Sequence, residues 1–434
     1  MWLDHWAAWC LVPLSFWILL SGLDDLFIAL VYYATRKEQF PWPAESDLDA
    51  VAERRIAIFV PLWREHRVIA QMLDHNLAAI RYSKYDIFVG VYPNDPLTER
   101  AVAGVAVRNP RVHLVVCPHN GPTSKGDCLN AIYSRMEALE RRAGVHYEIV
   151  TTHDAEDLVH PESLRLINWF SREFAMIQIP VLALPTPPRE FTHGIYCDEF
   201  AEYQLKDIPV RQRLGGFLPS NGVGTGFTRT ALQDLAASRN GRIFDPDCLT
   251  EDYENGFRLH EMGYPQVFLP VRFDDAGPVA TREYFPRTFR SAVRQRSRWV
   301  AGIVLQGWQH HGWRAPARQL YWFWRDRKGL VGNLLSPFAN VVMLYAAASW
   351  AAGRVHFYQH LSPAMQSAGL VMGCLSIVQL SFRAHCCAKI YGWRTAAWVP
   401  LRTVWANAVN ALATVACQRF GPVGSCRVGD TAIT

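Results

Sequence analysis

The sequence lacks the cysteine and histidine spacings that mark a structural metal site or a disulfide framework. Its ten cysteines are scattered over 434 residues without a C-x-x-C pair, which argues against both kinds of small, cross-linked fold. Lysine and arginine form no strongly basic tract and the formal net charge is +5, so no nucleic-acid partner is expected. Internal repeats and low-complexity tracts are also missing. Fibrous, repeat and disordered architectures are thereby excluded.

Long apolar runs occur only near the two ends of the chain. Residues 38–330 hold no run long enough to cross a bilayer, whereas residues 7–35 form one and residues 330–382 form two in succession. Asp24 and Asp25 interrupt the first run and must face protein or the membrane interface. The chain is 50% hydrophobic and its mean hydropathy is −0.02, as expected for a mixture of water-soluble and membrane parts. We predict three membrane helices.

The basic residues predict the orientation of these helices. No lysine or arginine precedes Arg36, and Arg36 and Lys37 directly follow the first helix, so its N-terminus is expected outside and the next segment in the cytoplasm. A signal peptide is the alternative, but it would need a basic n-region. Basic residues on both sides of the later pair fit a hairpin with both ends in the cytoplasm. The apolar stretch 395–417 contains Arg402 and two asparagines and is predicted to be an interfacial helix, with a fourth span as the alternative.

Between the membrane segments, short apolar runs alternate with helical patterns, which is typical of an α/β fold with a largely parallel sheet. Strands are predicted at residues 56–60, 85–92, 112–117, 147–152 and 176–180. In such a sheet, ligands bind where the strands end at their carboxyl edge. Polar segments follow three of the predicted strands, at Pro61–Glu65, Asn94–Asp95 and His153–Asp157. The binding site is expected at this edge.

The strongest single motif is HDAED at residues 153–157, directly after a predicted strand. Asp154, Glu156 and Asp157 would repel one another in so short a loop unless a cation neutralises them. A hard divalent ion such as Mg²⁺ or Mn²⁺, held by carboxylates and by the phosphates of a substrate, is the usual solution. The alternative is a solvated acidic turn that caps the following helix.

Two further motifs favour a phosphate-containing substrate. Residues 250–252 read T-E-D ahead of a helical run, although taken alone a carboxylate at the start of a helix is more often an ordinary cap. Gln295, Arg298 and Trp299 share one helix face at i, i+3 and i+4. That face offers donors for phosphate oxygens and an aromatic platform for a sugar or base. Arginines just before a membrane hairpin could instead be interfacial anchors.

The acidic loop, T-E-D and Q-x-x-R-W, in this order and ahead of membrane helices, resemble the membrane-bound family 2 glycosyltransferases, the relatives of cellulose and hyaluronan synthases. The resemblance is closest to the glycosyltransferase part of the bacterial inner-membrane phage-adsorption protein B family, on the segments YPNDP, GPTSK, REYFP, AVRQRSRW and WRDRKG. It covers residues 10 to about 420. One departure is D-A-E-D in place of a plain D-x-D, which leaves Asp157 either a third metal ligand or a group behind the ligands.

The resemblance implies a nucleotide-diphospho-sugar transferase fold of the GT-A type, and it implies roles for residues of this chain. Donor-binding residues would be Pro61, Glu65, Asp95, Lys125 and Asp154. The divalent cation would be held by Asp154, Glu156 and Asp157. Asp252 would be the general base, with Glu251 beside it in the catalytic motif. The acceptor and diphosphate end would be defined by Gln295, Arg298 and Trp299.

The resemblance implies an inverting, metal-dependent glycosyltransferase of the bacterial inner membrane, and the distribution of basic residues places its catalytic domain in the cytoplasm. It would move a sugar from a nucleoside diphosphate donor, with UDP-sugars preferred, to a growing polysaccharide or a lipid-linked acceptor. Three spans are few for a self-contained export channel, so export is expected to need a second subunit, and the resemblance to the phage-adsorption family implies an outer-membrane partner. The alternatives are a distributive transferase that adds one sugar to a polyprenyl or other lipid, and a non-catalytic membrane receptor or scaffold subunit that keeps the fold.

The predicted boundaries follow from the same patterns. We expect a membrane helix at 7–35, a linker at 36–55, the catalytic domain at 56–300, an interfacial connection at 301–329, two membrane helices within 330–382, and an interfacial helix with a C-terminal tail at 383–434. Some relatives carry a further cytoplasmic C-terminal module, which is not expected within this sequence.

Overall fold

The computed structural model describes residues 2–38, 40–353 and 361–420, which divide into two compact units. The sheet unit comprises residues 40–184 and 211–284. The helical unit comprises residues 2–38, 185–210 and 285–419. The predicted C-terminal tail beyond residue 420 lies outside the described residues.

The sheet unit contains all the strands of the described chain and the helices that connect them. The strands are β1 (Ile56–Pro61), β2 (Tyr85–Val91), β3 (Val112–Val116), β4 (Ile149–Thr152), β5 (Met176–Gln178), β6 (Val181–Ala183), β7 (Thr225–Thr228), β8 (Gln266–Phe268), β9 (Phe273–Asp274), β10 (Gly277–Pro278) and β11 (Thr281–Glu283). Helices are numbered in chain order across both units. The helices of the sheet unit are α2 (Glu45–Ala50), α3 (Ile69–Ala79), α4 (Pro96–Arg108), α5 (Lys125–Ala143), α6 (Ser163–Phe170), α9 (Arg229–Ser238) and α10 (Glu251–Glu261).

Seven of these strands form one sheet in the order β3-β2-β1-β4-β7-β5-β8. All neighbours are parallel except β7, which runs antiparallel to both β4 and β5. The five predicted strands are present as β1 to β5, so the prediction of an α/β fold with a largely parallel sheet is confirmed. The strand order reverses between β1 and β4, and such a switch point opens a crevice at the carboxyl edge.

The strands form where apolar residues are continuous, because both faces of a parallel sheet are covered. In β1 the residues from Ile56 to Val60 are all buried. On β2, Gly90 lets α5 approach closely: a Cβ added at this glycine would lie 2.6 Å from Cys128 Sγ and 2.8 Å from a methyl carbon of Ile132. This contact fixes α5, and hence Lys125 at its first turn, against the sheet.

The helical unit holds the remaining helices of the described chain. They are α1 (Trp2–Thr35), α7 (Phe191–Glu202), α11 (Phe289–Trp299), α12 (Gly307–His311), α13 (Ala317–Arg327), α14 (Gly329–Ala351), α15 (Pro363–Tyr391), α16 (Trp393–Ala396) and α17 (Val399–Ala416), with π-helical turns at Tyr203–Asp207 and Val300–Gln306, a 3-10 turn at Cys417–Phe420, and α8 (Ile208–Arg213) crossing into the sheet unit. Within the described residues, three helical segments are long and apolar enough to cross a membrane: Trp9–Thr35, Ala317–Ala351 and Pro363–Tyr391.

The two aspartates inside the first apolar run have partners from distant helices. Asp24 accepts hydrogen bonds from the Tyr321 hydroxyl at 2.7 Å and from Lys328 Nζ at 2.8 Å, and it also pairs with Arg325. Lys328 bridges to Asp25 at 2.8 Å. Pairing offsets much of the cost of placing carboxylates in an apolar helix.

Helix α17 uses its polar side chains for contacts with other helices. Arg402 is 1% exposed and donates to both Asp198 carboxylate oxygens, at 2.7 and 2.6 Å. Asn407 lies 3.1 Å from Asn340 on α14. The opposite face exposes apolar residues, among them Leu401 and Leu412. Whether α17 lies in the interface or crosses the bilayer stays a prediction.

Two glycine substitutions test the packing of α5 on the sheet. We expect Gly90→Ala to lower the free energy of unfolding by about 1–3 kcal/mol, because the added methyl overlaps Cys128 and Ile132. Gly104→Ala, at an exposed position of α4 with nothing within 4 Å, should instead raise it by about 0.5–1 kcal/mol. Denaturation of the detergent-solubilised protein measures both. Equal effects of the two variants would contradict this packing.

Candidate active site

Three loops meet at the carboxyl edge of β1 and β4. Glu65 follows β1, the acidic loop of residues 153–157 follows β4, and the glycine-containing loop of residues 221–224 precedes β7. Because β7 is antiparallel and pairs Thr225 with Thr152, its first residue lies at the same edge as the end of β4. The sheet therefore gathers these loops, as the sequence predicted for the first two.

Lys125 connects the acidic loop to the glycine-containing loop. Its Nζ lies 2.7 Å from Asp154 Oδ1 and 3.5 Å from the Gly222 carbonyl oxygen. It is the first residue of α5, and the Ser124 hydroxyl caps this helix by accepting from the Asp127 N–H at 3.2 Å. Burial lowers the pKa of Lys125, but the charges of Asp154, Glu251 and Asp252 outweigh burial and raise it. The ammonium therefore stays charged at neutral pH.

Carboxylates crowd around this lysine. Burial, with repulsion from Asp154, raises the pKa of Glu65 to about 7 and that of Glu156 to about 8. Burial and the charges of Asp157, Glu156 and Asp154 also raise the pKa of Glu283, on β11, well above its ordinary value. Crowded carboxylates whose charged forms are destabilised are suited to bind a hard divalent cation, because such a cation prefers oxygen ligands and neutralises their charge. Asp154 and Glu156 are the partly exposed members of the loop.

Asp157 differs from its neighbours in the loop because its side chain is 0% exposed. Its Oδ2 accepts a hydrogen bond from the Asp154 N–H at 2.9 Å and lies 2.9 Å from His153 Nδ1. Burial raises the pKa of Asp157, and the contact with His153 partly opposes this. His153 is buried with it and serves this contact.

Asp252 lies at the start of α10, beside the glycine-containing loop. A Cβ on Gly222 would lie 2.5 Å from Asp252 Oδ2, and Gly222 has φ +76°, so a glycine is needed there for two reasons. The other oxygen, Oδ1, accepts from the Tyr253 N–H at 2.8 Å. Burial raises the pKa of Asp252, with Lys125 opposing. Glu251 is buried and contributes to the field around Lys125.

Asp95, in the loop that follows β2, holds the loop that follows β1. Its Oδ2 accepts from the Arg64 N–H at 2.6 Å, and its Oδ1 accepts from the Thr98 N–H at 3.4 Å as the cap of α4. The first contact holds Arg64 at φ +61° beyond Pro61, at the end of β1. Asp95 thus organises the backbone of this region, and its contact with a nucleotide stays a prediction.

The predicted acceptor residues Gln295, Arg298 and Trp299 belong to the helical unit, on the last turns of α11. Trp299 packs edge-on against Tyr196, with ring centroids 6.1 Å apart. All three are partly buried. The buried arginine of this motif is Arg296, which donates to Glu199 at 2.8 Å and to Asn410 at 2.7 Å.

Sequence reasoning missed Glu283 as a site residue. It lies on a three-residue strand that pairs with β6, and its carboxyl shares the field of the acidic loop. The segment REYFP contained it, but nothing in that segment signals which residue faces the carboxylates.

Comparison with known proteins agrees with this geometry. The family model "Glycosyltransferase like family 2" matches residues 53–302. Bacteriophage adsorption protein B of Escherichia coli strain K12 and bacteriophage N4 adsorption protein B of Escherichia coli O157:H7 are each 41% identical in a 373-residue alignment that covers 79% of this chain and 50% of theirs. The chain therefore spans about half the length of these curated relatives.

A solved structure shares the fold over nearly the whole chain. The mannosyltransferase PcManGT from Pyrobaculum calidifontis, in complex with GDP-Man and Mn²⁺, is 18% identical, with a TM-score of 0.58, over 95% of this chain and 100% of its own. The expected transferase fold of the GT-A type, with added apolar helices, is confirmed. The Mn²⁺ of that neighbour agrees with the expectation of a divalent cation.

The carboxylate cluster predicts how stability depends on pH. Because the pKa values of Glu65 and Glu156 are raised from 4.5 to about 7 and about 8, the folded protein keeps protons that the unfolded chain releases. Their contribution to stability is therefore full below pH 4.5 and is lost as the pH rises to about 8. Melting temperatures in detergent without added metal should fall over this range, and Mn²⁺ should reverse the fall.

Substitution of one carboxylate provides the control for this effect. Glu156→Gln should flatten the pH dependence of the melting temperature, whereas Asp74→Asn, on the exposed face of α3, should leave it unchanged. A Glu156→Gln variant with the full wild-type slope would contradict the crowding of carboxylates described above.

Proposed function

This chain belongs to the family 2 glycosyltransferases, and we propose that it is an inverting, divalent-cation-dependent enzyme that transfers a sugar from a nucleoside diphosphate donor. The acceptor is a growing polysaccharide or a lipid-linked glycan at the bacterial inner membrane. One observation supports this above all: Lys125 Nζ lies 2.7 Å from Asp154 and 3.5 Å from the carbonyl oxygen of Gly222, the glycine that packs against the Asp252 carboxylate.

The donor diphosphate is bound by positive charge at the acidic loop. Asp154 and Glu156 would hold a Mg²⁺ or Mn²⁺ ion, which when bound would neutralise phosphate oxygens and stabilise the nucleoside diphosphate as a leaving group. Lys125 supplies a second positive charge beside Asp154. The GDP-Man and Mn²⁺ bound to the Pyrobaculum enzyme support a donor of this class.

Asp252 is the general base of the transfer. Its carboxylate takes the proton from an acceptor hydroxyl while that oxygen attacks the anomeric carbon, and the bond from this carbon to the diphosphate oxygen breaks. Attack from the face opposite the leaving group inverts the configuration. The raised pKa of Asp252 makes it a stronger base than an ordinary aspartate.

The acceptor is assigned to the membrane because the helical unit carries three apolar segments long enough to span it. Gln295, Arg298 and Trp299, on α11 of the helical unit, are the residues that we propose for recognition of the acceptor. The positive-inside distribution supports a cytoplasmic sheet unit. Likeness to adsorption proteins supports a surface glycan and an outer-membrane export partner as further parts of the proposal.

A screen of nucleotide release tests the proposed reaction. Detergent-solubilised protein is incubated with UDP-sugars and GDP-mannose in the presence of Mg²⁺ or Mn²⁺, which identifies donor and cation together. Products are then sized on a gel, because a polymer supports processive synthesis and a single added sugar supports the distributive alternative. No release with any donor would favour the non-catalytic scaffold.

Removal of the base gives the sharpest prediction. Asp252→Asn should lower the transfer rate by about 10²–10⁴-fold with little change in donor affinity, whereas Asp275→Asn, an exposed carboxylate of the same unit, should keep full activity. The wild-type rate should fall with acidification at a pH above the usual aspartate range near 3.9, because burial raises the pKa of Asp252. Full activity of Asp252→Asn would exclude it as the base.

The closeness of Gly222 to Asp252 gives a second prediction. Gly222→Ala and Gly144→Ala introduce the same strain, since both glycines have positive φ, at +76° and +63°. Only at position 222 does the new methyl meet Asp252. We expect Gly144→Ala to lower the free energy of unfolding by about 1 kcal/mol and Gly222→Ala to lower it further because of this overlap, with a large loss of transfer rate for Gly222→Ala alone. Equal rates in the two variants would contradict the described loop geometry.

A further inference from the structure

We propose that Asp157 is a positioning residue and not a ligand of the cation: with His153, it fixes the backbone from which Asp154 reaches the ion. This role rests on the cation dependence of the proposed function. The loop offers three acidic side chains, and their spacing alone does not tell a ligand from a residue that holds a ligand. The structure distinguishes them by burial and by hydrogen bonding.

The first distinction is the direction of the side chains. Asp154 and Glu156 are partly exposed, whereas Ala155 and Asp157 are buried, so successive residues of the loop alternate between the crevice and the interior. The side chain of Asp154 is 33% exposed and that of Asp157 is 0% exposed. A cation that also binds a diphosphate has to be reached from the crevice, which favours Asp154 and Glu156.

The second distinction is what one oxygen of the Asp157 carboxylate already binds, while the other oxygen, Oδ1, is buried and makes no hydrogen bond within the described residues. Its Oδ2 accepts from the Asp154 N–H at 2.9 Å and contacts His153 Nδ1 at 2.9 Å. The side chain of His153 and the backbone N–H of Asp154 therefore both contact one buried oxygen. Loss of that oxygen frees the backbone of Asp154, which is how a residue outside the metal's own ligands can weaken binding.

A third observation is that residues of other elements also hydrogen-bond to the backbone of this loop. Asn76 on α3 donates from Nδ2 to the Asp157 carbonyl oxygen at 2.8 Å and accepts from the Val159 N–H at 3.0 Å. Leu158 exchanges backbone hydrogen bonds with Arg282, at 2.8 and 3.0 Å. The backbone of residues 157–159 is therefore fixed, so Asp157 keeps its inward direction.

Binding of Mn²⁺ to the purified full chain, followed by the electron paramagnetic resonance signal of the free ion, tests this role without relying on turnover. Asparagine at position 157 keeps one oxygen for the contacts with His153 and the Asp154 N–H. We therefore expect Asp157→Asn to bind Mn²⁺ within about threefold of wild type, and Asp157→Ala to bind about tenfold more weakly. Asp154→Asn, which removes the negative charge and one of the two oxygens of a ligand, should weaken binding at least tenfold.

A double-mutant cycle tests whether Asp157 acts together with His153, and the comparison of Asp157→Asn with Asp154→Asn separates positioning from ligation. If Asp157 acts together with His153, then His153→Ala should weaken Mn²⁺ binding about as much as Asp157→Ala, and the double variant should be no weaker than either. Asp74→Asn serves as the matched surface control. Melting temperatures of all variants show whether each remains folded.

Two results would overturn the assignment. If Asp157→Asn weakens Mn²⁺ binding as strongly as Asp154→Asn while remaining folded, Asp157 is a ligand and only this inference fails. If wild-type protein binds no Mn²⁺ and no Mg²⁺ competes for a site, the proposed cation-dependent function fails, and this role fails with it. Near-wild-type binding by Asp157→Asn with coupled losses in the alanine variants supports it.

Discussion

Mutual repulsion among carboxylates at one edge of the sheet is the constraint that organises the sheet unit. Glu65, Asp154, Glu156, Asp157 and Glu283 come from three separate parts of the chain, and each raises the energy of its neighbours' charged forms. Such a cluster persists only if contacts elsewhere in the fold hold the carboxylates in place. These contacts are the close packing of α5 on β2, the caps of α4 and α5, and the hydrogen bonds of Asn76.

The sequence predicts the strands and loops whose signals are local. Continuous apolar runs mark β1 to β5, and polar residues directly after β1, β2 and β4 mark the edge where the loops meet. Strand β7 is not recognisable because TGFT is short and contains glycine, and its antiparallel direction depends on pairing with β4 and β5. Glu283 is missed for the same reason, since its position follows from pairing of two three-residue strands about 100 residues apart.

Long-range pairing also explains the charged residues of the helical unit. From sequence alone, Asp24 and Asp25 weaken the assignment of an apolar helix, because their partners on α13 and at the start of α14 lie about 300 residues away. The same holds for the arginines of α11: periodicity places Arg298 on a functional face, but only packing identifies Arg296 as the arginine that joins α7 and α17. The sequence shows where the charged residues are, but only the tertiary contacts show which partners they bind.

The inward-facing polar residues of α17 have a practical consequence for handling the protein. Truncated forms that keep the sheet unit and α17 but remove the three long apolar helices would leave Asn407 without its partner on α14, while the outer face still presents Leu401, Leu412 and Val415 to solvent. Such a fragment would gain an unsatisfied polar group and would keep an exposed apolar surface that favours aggregation. A soluble fragment that retains α17 therefore requires redesign of this helix on both of its faces.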